Sequence, residues 1–288
     1  MKPAPLDYAA PETLAEAVAL LADASREAKV IAGGQSLMPM LNMRLARPEL
    51  LVDLRRVDGL DHIREEHGAI RIGAMTSKRE VEQSPLVRER LPLLHAATLH
   101  VGHPQIRSRG TVGGSMAQAD PAAEYPCVAV ALGATMRVVG PGGERTIPAA
   151  DFFVTYLTTA LEEDEILVEV SFPVPAPGTG WSFTEISRRH GDFALAGAAI
   201  TVALDGAGTV ADSAIVLFGV GPGPVRAHAA EARIRGGRPG DELYREAGAA
   251  VAAALTDPPA DVHADSEYRR HLAATMTTRG LAEAVQRT

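Results

Sequence analysis

Apolar residues recur along the chain with two periods, which predict a mixture of helices and strands. Leu14, Ala17, Val18 and Leu21 fall on one face of a helix opened by Pro11, the spacing of a stripe that packs on a core. Short apolar runs bounded by glycine or charged residues predict strands. These runs are residues 29–31, 50–54, 69–74, 135–139, 144–147, 165–172, 181–185, 198–204 and 215–219.

Helix caps, turns and a linker divide this pattern into parts. Ser77 and Glu80 have the spacing of a capping box, which predicts a helix start, and helical patterns also cover residues 91–101, 242–255 and 267–287. Pro141-Gly142-Gly143 predicts a hairpin turn between two strands. The segment 173–178 is rich in proline and is the best linker candidate. We therefore expect three parts of mixed helix and strand, residues 1–56, 57–175 and 178–288.

Composition and charge exclude several classes of protein. The 288 residues carry a formal net charge of -8, which argues against a nucleic-acid partner or an anionic membrane surface, since phosphates are held by excess Lys and Arg. The single cysteine, Cys127, cannot form an intrachain disulfide, a four-cysteine iron–sulfur cluster or a cysteine-rich zinc site. No apolar stretch reaches the roughly 20 residues of a membrane span, and the first residues lack a signal core. We expect a cytoplasmic protein.

Two glycine-containing loops are the strongest candidates for chemistry. The first, Ala32–Ser36, follows a predicted strand, and the second, Thr111–Ser115, lies within a glycine-rich stretch that begins at Arg109. Paired glycines allow backbone amides to converge on an anion, and the hydroxyl groups in both loops add donors. The plainer interpretation is that each Gly-Gly is only a tight turn, and neither loop fits a strict phosphate-binding fingerprint.

Four longer motifs carry a resemblance to a known family. They are Ala-Gly-Gly-Gln-Ser-Leu-Met-Pro at 32–39, His-Pro-Gln-Ile-Arg-Ser-Arg-Gly-Thr-Val-Gly-Gly-Ser at 103–115, Ala-Asp-Pro-Ala-Ala-Glu at 119–124 and Arg-Arg-His-Gly-Asp-Phe-Ala at 188–194. In order and spacing the chain resembles the FAD-binding medium subunit of molybdenum hydroxylases, the family of carbon monoxide dehydrogenase and xanthine dehydrogenase. The resemblance implies an α+β fold: a PCMH-type FAD-binding domain of two α/β subdomains, residues 1–56 and 57–175, and a C-terminal α+β domain of the CO dehydrogenase flavoprotein type, residues 178–288.

The resemblance also implies which residues contact FAD. In the family the two loops clamp the diphosphate, carboxylates approach the sugar chain, and one further loop approaches the flavin ring. The matching residues here are Ile31, Ala32, Gly33, Gly34, Gln35, Ser36, Thr111, Val112, Gly113, Gly114, Ser115, Asp120, Glu124 and Leu161. For Asp120 and Glu124 the alternative is a pair of exposed acids at a helix start. No flavin-tuning role is transferred to Thr184 and Glu185, because some relatives carry a lysine there. No catalytic or metal-ligating residue is expected in this chain.

The implied function is electron transfer. In the family a large molybdopterin subunit oxidises the substrate, a small 2Fe-2S subunit relays single electrons, and FAD on the medium subunit passes them to NAD, a quinone or dioxygen. The expected assembly is a heterotrimer that dimerises, and the low cysteine count agrees with clusters housed on another chain. This sequence does not identify the substrate or the electron acceptor.

Two other functions are compatible with parts of the sequence. One is a stand-alone FAD-dependent oxidase of the vanillyl-alcohol-oxidase type, which shares the plan of the FAD domain. The other is a serine hydrolase using Ser115, because residues 113–117 approach the Gly-x-Ser-x-Gly nucleophile elbow. That elbow requires a preceding strand, and Arg107-Ser108-Arg109-Gly110 is a poor one.

Overall fold

The computed structural model describes residues 2–288 and contains fourteen strands and twelve α-helices in that range. The strands are β1 Asp7–Ala9, β2 Ala28–Ile31, β3 Leu50–Asp53, β4 Ile63–Glu66, β5 Ala69–Gly73, β6 Thr135–Gly140, β7 Gly143–Pro148, β8 Phe153–Thr155, β9 Thr158–Thr159, β10 Ile166–Pro173, β11 Gly180–Ser187, β12 Ala194–Leu204, β13 Val210–Phe218 and β14 Val225–Arg226. The helices are α1 Leu14–Leu21, α2 Leu37–Asn42, α3 Lys78–Gln83, α4 Pro85–Arg90, α5 Pro92–His100, α6 Pro104–Arg107, α7 Val112–Gln118, α8 Glu124–Ala131, α9 Ala149–Phe152, α10 His228–Ile234, α11 Asp241–Ala254 and α12 Ser266–Val285. The predicted mixed α+β class is confirmed.

The first sheet is parallel and has the order β1-β3-β2. Helix α1 starts after Thr13 rather than at Pro11, because the Thr13 side chain caps it in a capping box with Glu16. Its predicted apolar face is confirmed by the burial of Ala17 and Val18 against β3. Strand β1 was not predicted, since three residues without an apolar alternation give no pattern to detect.

The second sheet is antiparallel, in the order β4-β5-β10-β6-β7. The predicted hairpin is confirmed, because β6 and β7 pair with Gly140 opposite Gly143. Strand β10 is buried and joins two cores. Ile166 and Val168 pack with the first sheet, whereas Val170 and Phe172 pack with the helices of the second.

The third sheet is antiparallel, in the order β11-β12-β13-β14. Helices α11 and α12 pack together, and α12 covers β11 and β12. Helix α8 of the second part contacts β12 and β13, where the buried rings of Phe183 and Phe218 stack with their centroids 5.5 Å apart. Cys127 lies at this interface, and its thiol donates to the carbonyl of Val216 at 3.2 Å. The lone cysteine therefore serves packing.

Among the described residues, no helix combines the length and the apolar character needed to cross a bilayer.

Candidate functional site

The first glycine loop presents free backbone donors. Strand β2 ends at the buried Ile31, and Gly34 adopts φ +73°, a left-handed conformation that glycine tolerates best. Within residues 2–288 the amides of Gly33, Gly34, Gln35 and Ser36 have no hydrogen-bond acceptor. Since α2 begins directly afterwards, four successive amides stand at the mouth of the loop, the arrangement that binds anions.

The second glycine loop differs from the prediction, because it becomes a helix at Val112. Thr111 caps α7 by accepting a hydrogen bond from the Gly114 amide at 3.0 Å. The amides of Val112 and Gly113 donate to the carbonyls of Thr76 and Ala74, at 3.0 and 2.9 Å, beyond the end of β5. The expectation that this segment offers free amides to an anion is therefore wrong for Val112, Gly113 and Gly114. What remains is the Ser115 hydroxyl, which makes no hydrogen bond in the described part of the chain.

The two loops lie against each other although they are far apart in sequence. A Cβ placed on Gly33 would overlap the carbonyl oxygen of Arg109, just before the second loop. A Cβ on Gly114 would lie 3.8 Å from that of Ala32. The glycines thus allow the backbones to touch, and the free amides of the first loop and the Ser115 hydroxyl belong to one site.

Asp120 and Glu124 follow α7 and are half-buried rather than fully exposed. The chain leaves α7 through Ala119, which has φ +49°, and Asp120 accepts a hydrogen bond from the Ala122 amide at 2.9 Å. Burial raises the pKa of Asp120. Burial also raises the pKa of Glu124 to about 7, against an opposing effect of Lys78 and His100. Both carboxyl groups are therefore poised to bind hydroxyl donors or protons.

We expect the buried Glu124 carboxyl to make stability depend on pH. Its pKa rises from 4.5 to about 7 on folding, so the folded state binds more protons than the unfolded state and stability falls as pH rises between these values. Thermal unfolding of the wild type and of Glu124→Gln would be compared at pH 5 and pH 8. The variant should gain stability relative to the wild type at the higher pH. An equal difference at both pH values would contradict this.

Leu161 follows β9 and is half-buried at the edge of the second core. Its amide donates to the Thr159 hydroxyl at 3.3 Å, and β9 contacts α7. Leu161 therefore lies on the segment that packs beside the helix of the second loop.

Three ionisable residues near this site, Lys78, His100 and Glu185, are not among the predicted cofactor-contacting residues. Lys78 opens α3 and is 8% exposed, with its ammonium 5.2 Å from the centroid of the Tyr125 ring. His100 ends α5 and lies 3.7 Å from the carboxylate of Glu185 on β11. Sequence periodicity does not indicate that these residues lie close together, because each belongs to a different helix or strand.

The geometry rules out the serine hydrolase. Ser115 lies inside α7, and the element before it is the short helix α6, so no strand leads into a nucleophile elbow. Its hydroxyl has no histidine partner among the described residues. Nor do residues 2–288 contain a group of three His, Cys, Asp or Glu side chains placed to hold a metal ion.

Two family models match the chain along most of its length. Residues 4–175 match the FAD binding domain in molybdopterin dehydrogenase, and residues 181–284 match the CO dehydrogenase flavoprotein C-terminal domain. Among curated proteins, the chain is 42% identical over 288 residues to the 6-hydroxypseudooxynicotine dehydrogenase complex subunit alpha of Paenarthrobacter nicotinovorans, covering 100% of this chain and 97% of that protein. It is 40% identical over 281 residues to the carbon monoxide dehydrogenase medium chain of Hydrogenophaga pseudoflava, covering 98% and 97%.

A solved structure agrees with these matches. The fold superimposes with a TM-score of 0.96 on a chain of the carbon monoxide dehydrogenase from Hydrogenophaga pseudoflava that lacks the Mo-pyranopterin moiety of the molybdenum cofactor. The sequence identity is 41%, and the match covers 100% of this chain and 99% of the other. The similarity therefore extends through all four sheets, including the two-stranded sheet of β8 and β9.

Proposed function

Since this chain belongs to the family of FAD-binding medium subunits of molybdenum hydroxylases, we propose that its two glycine loops together hold the diphosphate of FAD. The chain is an FAD-dependent oxidoreductase subunit that transfers electrons. It works with a large molybdopterin subunit and a small iron–sulfur subunit. The single observation that carries the proposed site is the contact of Gly33 with Arg109, which brings the loops together.

The donors in the loops fit an anionic diphosphate. The amides of residues 33–36 are unpaired, and the Ser115 hydroxyl is free to donate. Partial positive charge on converging amides binds phosphate oxygens without a lysine. The chain as a whole carries a net charge of -8, which repels an anion. The attraction for the diphosphate therefore has to come from these nearby donors.

The remaining predicted residues extend the site along the cofactor. We propose that Ile31, Ala32, Val112 and Gly113 shape the backbone around the diphosphate. Asp120 and Glu124 accept hydrogen bonds from sugar-chain hydroxyls, which half-burial makes stronger. Leu161 contacts the flavin ring.

Within the mechanism, the bound flavin supplies the chemistry of accepting electrons from iron–sulfur clusters and releasing them in pairs. The chain's own residues bind and orient. Gly33 and Gly114 let the backbones approach, and the amides and the Ser115 hydroxyl fix the diphosphate. The external acceptor is NAD, a quinone or dioxygen. The full-length match to proteins named as subunits and medium chains favours this role over a stand-alone oxidase.

FAD uptake tests the proposal. The full chain, alone and in complex with its molybdenum and iron–sulfur subunits, would be supplied with FAD and then desalted. Retained flavin gives an absorption band near ~450 nm, the property of its isoalloxazine. Acid precipitation should release the flavin, whereas covalent retention would favour the stand-alone oxidase. Absence of flavin from both preparations would overturn the proposal.

We expect Ser115→Ala to weaken FAD binding without abolishing it. The change removes one neutral hydrogen bond, worth roughly 0.5–1.5 kcal/mol, or about two- to tenfold in the dissociation constant. The matched control is Ser108→Ala, because the exposed Ser108 hydroxyl donates only to the carbonyl of Pro104 at 2.7 Å. Fluorescence titration with FAD measures both. The same affinity in the two variants would place Ser115 outside the site.

We further propose three domains, residues 1–56, 57–175 and 178–288, with the first two forming the FAD-binding unit. The separate first and second sheets and the proline-rich segment before β11 support these boundaries. We also propose a cytoplasmic location, which agrees with a sequence whose single cysteine allows no intrachain disulfide. Fractionation of cells that express the chain would test it.

A further inference from the structure

Four ionisable side chains from four different elements face one another beneath the second loop. Lys78 comes from α3, His100 from α5, Glu124 from α8 and Glu185 from β11. We call them the buried charge cluster. The His100 Nδ1 atom lies 3.7 Å from the Glu185 carboxylate, and Glu124 interacts electrostatically with the other three members.

The charges in this cluster are incompletely paired. The Oε2 atom of Glu185 is buried and accepts no hydrogen bond from the described residues. No carboxylate within residues 2–288 lies within 4 Å of the Lys78 ammonium, which is also desolvated. Buried charges are normally paired because desolvation costs several kcal/mol per ion, of the order of the pairing energy itself. A cluster left in this state can change its proton count at low cost.

The cluster adjoins the segment that we propose to hold FAD. The Lys78 amide donates to the carbonyl of Gly110 at 2.9 Å, and a Cβ on Gly110 would lie 3.7 Å from the Lys78 ammonium. The cluster reaches solvent at His100. The side chain of His100 is 40% exposed, whereas that of Glu185 is 4% exposed. The cluster therefore extends from the surface to the back of the second loop.

We propose that the buried charge cluster is a proton-exchanging group which takes up one proton when the flavin held by the neighbouring loops is reduced. This inference rests on the proposed function. It assigns His100, Lys78 and Glu185 a part in the reaction, as positioning residues that act through Glu124.

The step balances in protons and electrons. Two electrons from the iron–sulfur partner and one proton add to the isoalloxazine, which then carries one extra negative charge. That charge raises the proton affinity of Glu124, and a second proton moves from solvent by way of His100 and Glu185 to the Glu124 carboxylate. On reoxidation by the acceptor, two electrons and both protons leave.

The charges that face these groups tune them to neutral pH. Burial and Glu185 raise the pKa of Glu124 to about 7, and Lys78 and His100 oppose this. Interaction with Glu185 raises the pKa of His100, Glu124 adds to this, and burial lowers it. Burial lowers the pKa of Lys78 to about 8. Three members of the cluster therefore have pKa values shifted toward neutral pH, so a change in the local field can alter their protonation.

The test is the pH dependence of the flavin midpoint potential in the assembled complex. Each proton taken up with two electrons contributes about 30 mV per pH unit to the slope. Because reduced flavin also titrates near neutral pH, the result that counts is the difference in slope between the wild type and each variant between pH 6 and pH 8. Glu124→Gln and Glu185→Gln should each flatten the slope, by up to about 30 mV per pH unit. Spectra of the complex without FAD are subtracted so that iron–sulfur absorption cancels.

The matched control is Glu165→Gln, an acid paired with Arg145 at the surface at 2.7 Å, which should keep the wild-type slope. A purely structural cluster would change thermal stability but leave the slope intact, and that result would overturn the inference. If the Glu124→Gln variant loses FAD, the pH dependence of the midpoint potential in Glu185→Gln tests the inference instead. A wild-type complex that takes up no FAD overturns the proposed function together with this inference, whereas FAD uptake with unchanged slopes overturns the inference alone.

Discussion

Replacing Gly33 by alanine should weaken FAD binding by about tenfold to a hundredfold. The new Cβ would overlap the carbonyl oxygen of Arg109, and because that atom is backbone, the two loops have to move apart. Overpacking of this kind costs about 1–3 kcal/mol, which corresponds to that range of dissociation constants. FAD titration of the full chain or of the complex measures the effect.

The control for this variant is Gly142→Ala. Gly142 lies in the turn between β6 and β7, where a Cβ meets nothing within 4 Å, so affinity and folding should be unchanged. If Gly33→Ala binds FAD as tightly as Gly142→Ala does, the two loops do not act as one site. Loss of binding with a normal unfolding transition would support the two-loop site most directly.

Phe218→Ala should destabilise the protein by about 3–5 kcal/mol, the usual cost of removing a buried aromatic ring. Phe218 is fully buried between α8 and the third sheet, and its ring stacks on Phe183. Gly197 has no side chain where this ring lies, since a Cβ there would overlap it. The cavity therefore opens at the contact between α8 and the third sheet. Differential scanning calorimetry of the FAD-free protein measures the loss.

Phe193→Ala is the matched control, because this ring is 65% exposed. Its truncation should change the free energy of unfolding by less than about 0.5 kcal/mol. A similar loss in both variants would mean that the ring of Phe218 does not hold α8 against the third sheet.

Local structure was predictable wherever it depends on near neighbours in the chain. The capping box of Ser77 and Glu80 forms as predicted, and so does the hairpin at Gly140 and Gly143. Both are closed by hydrogen bonds over a few residues, so the residue types alone specify them. Helix α7 differs from the predicted loop, because two glycines lower its helix propensity whereas the Thr111 cap stabilises its first turn.

The candidate site was predictable as a set of motifs but not as an arrangement. The resemblance in order and spacing indicated the family, the cofactor and the two loops. It could not indicate that the amides of Val112 and Gly113 are consumed by the carbonyls of Thr76 and Ala74. It also gave no reason to connect His100 with Glu185, which come from separate elements.

The sequence by itself therefore determined many of the elements and the mixed α+β class, because periodicity and caps act over short stretches of chain. Its resemblance to the family indicated the cofactor. Only the tertiary structure decided that Gly33 touches Arg109 and that four ionisable groups meet beneath the second loop. Those contacts depend on how the sheets pack against one another. Packing is a collective property of the buried side chains of β10, α8 and the third sheet, and no single motif encodes it.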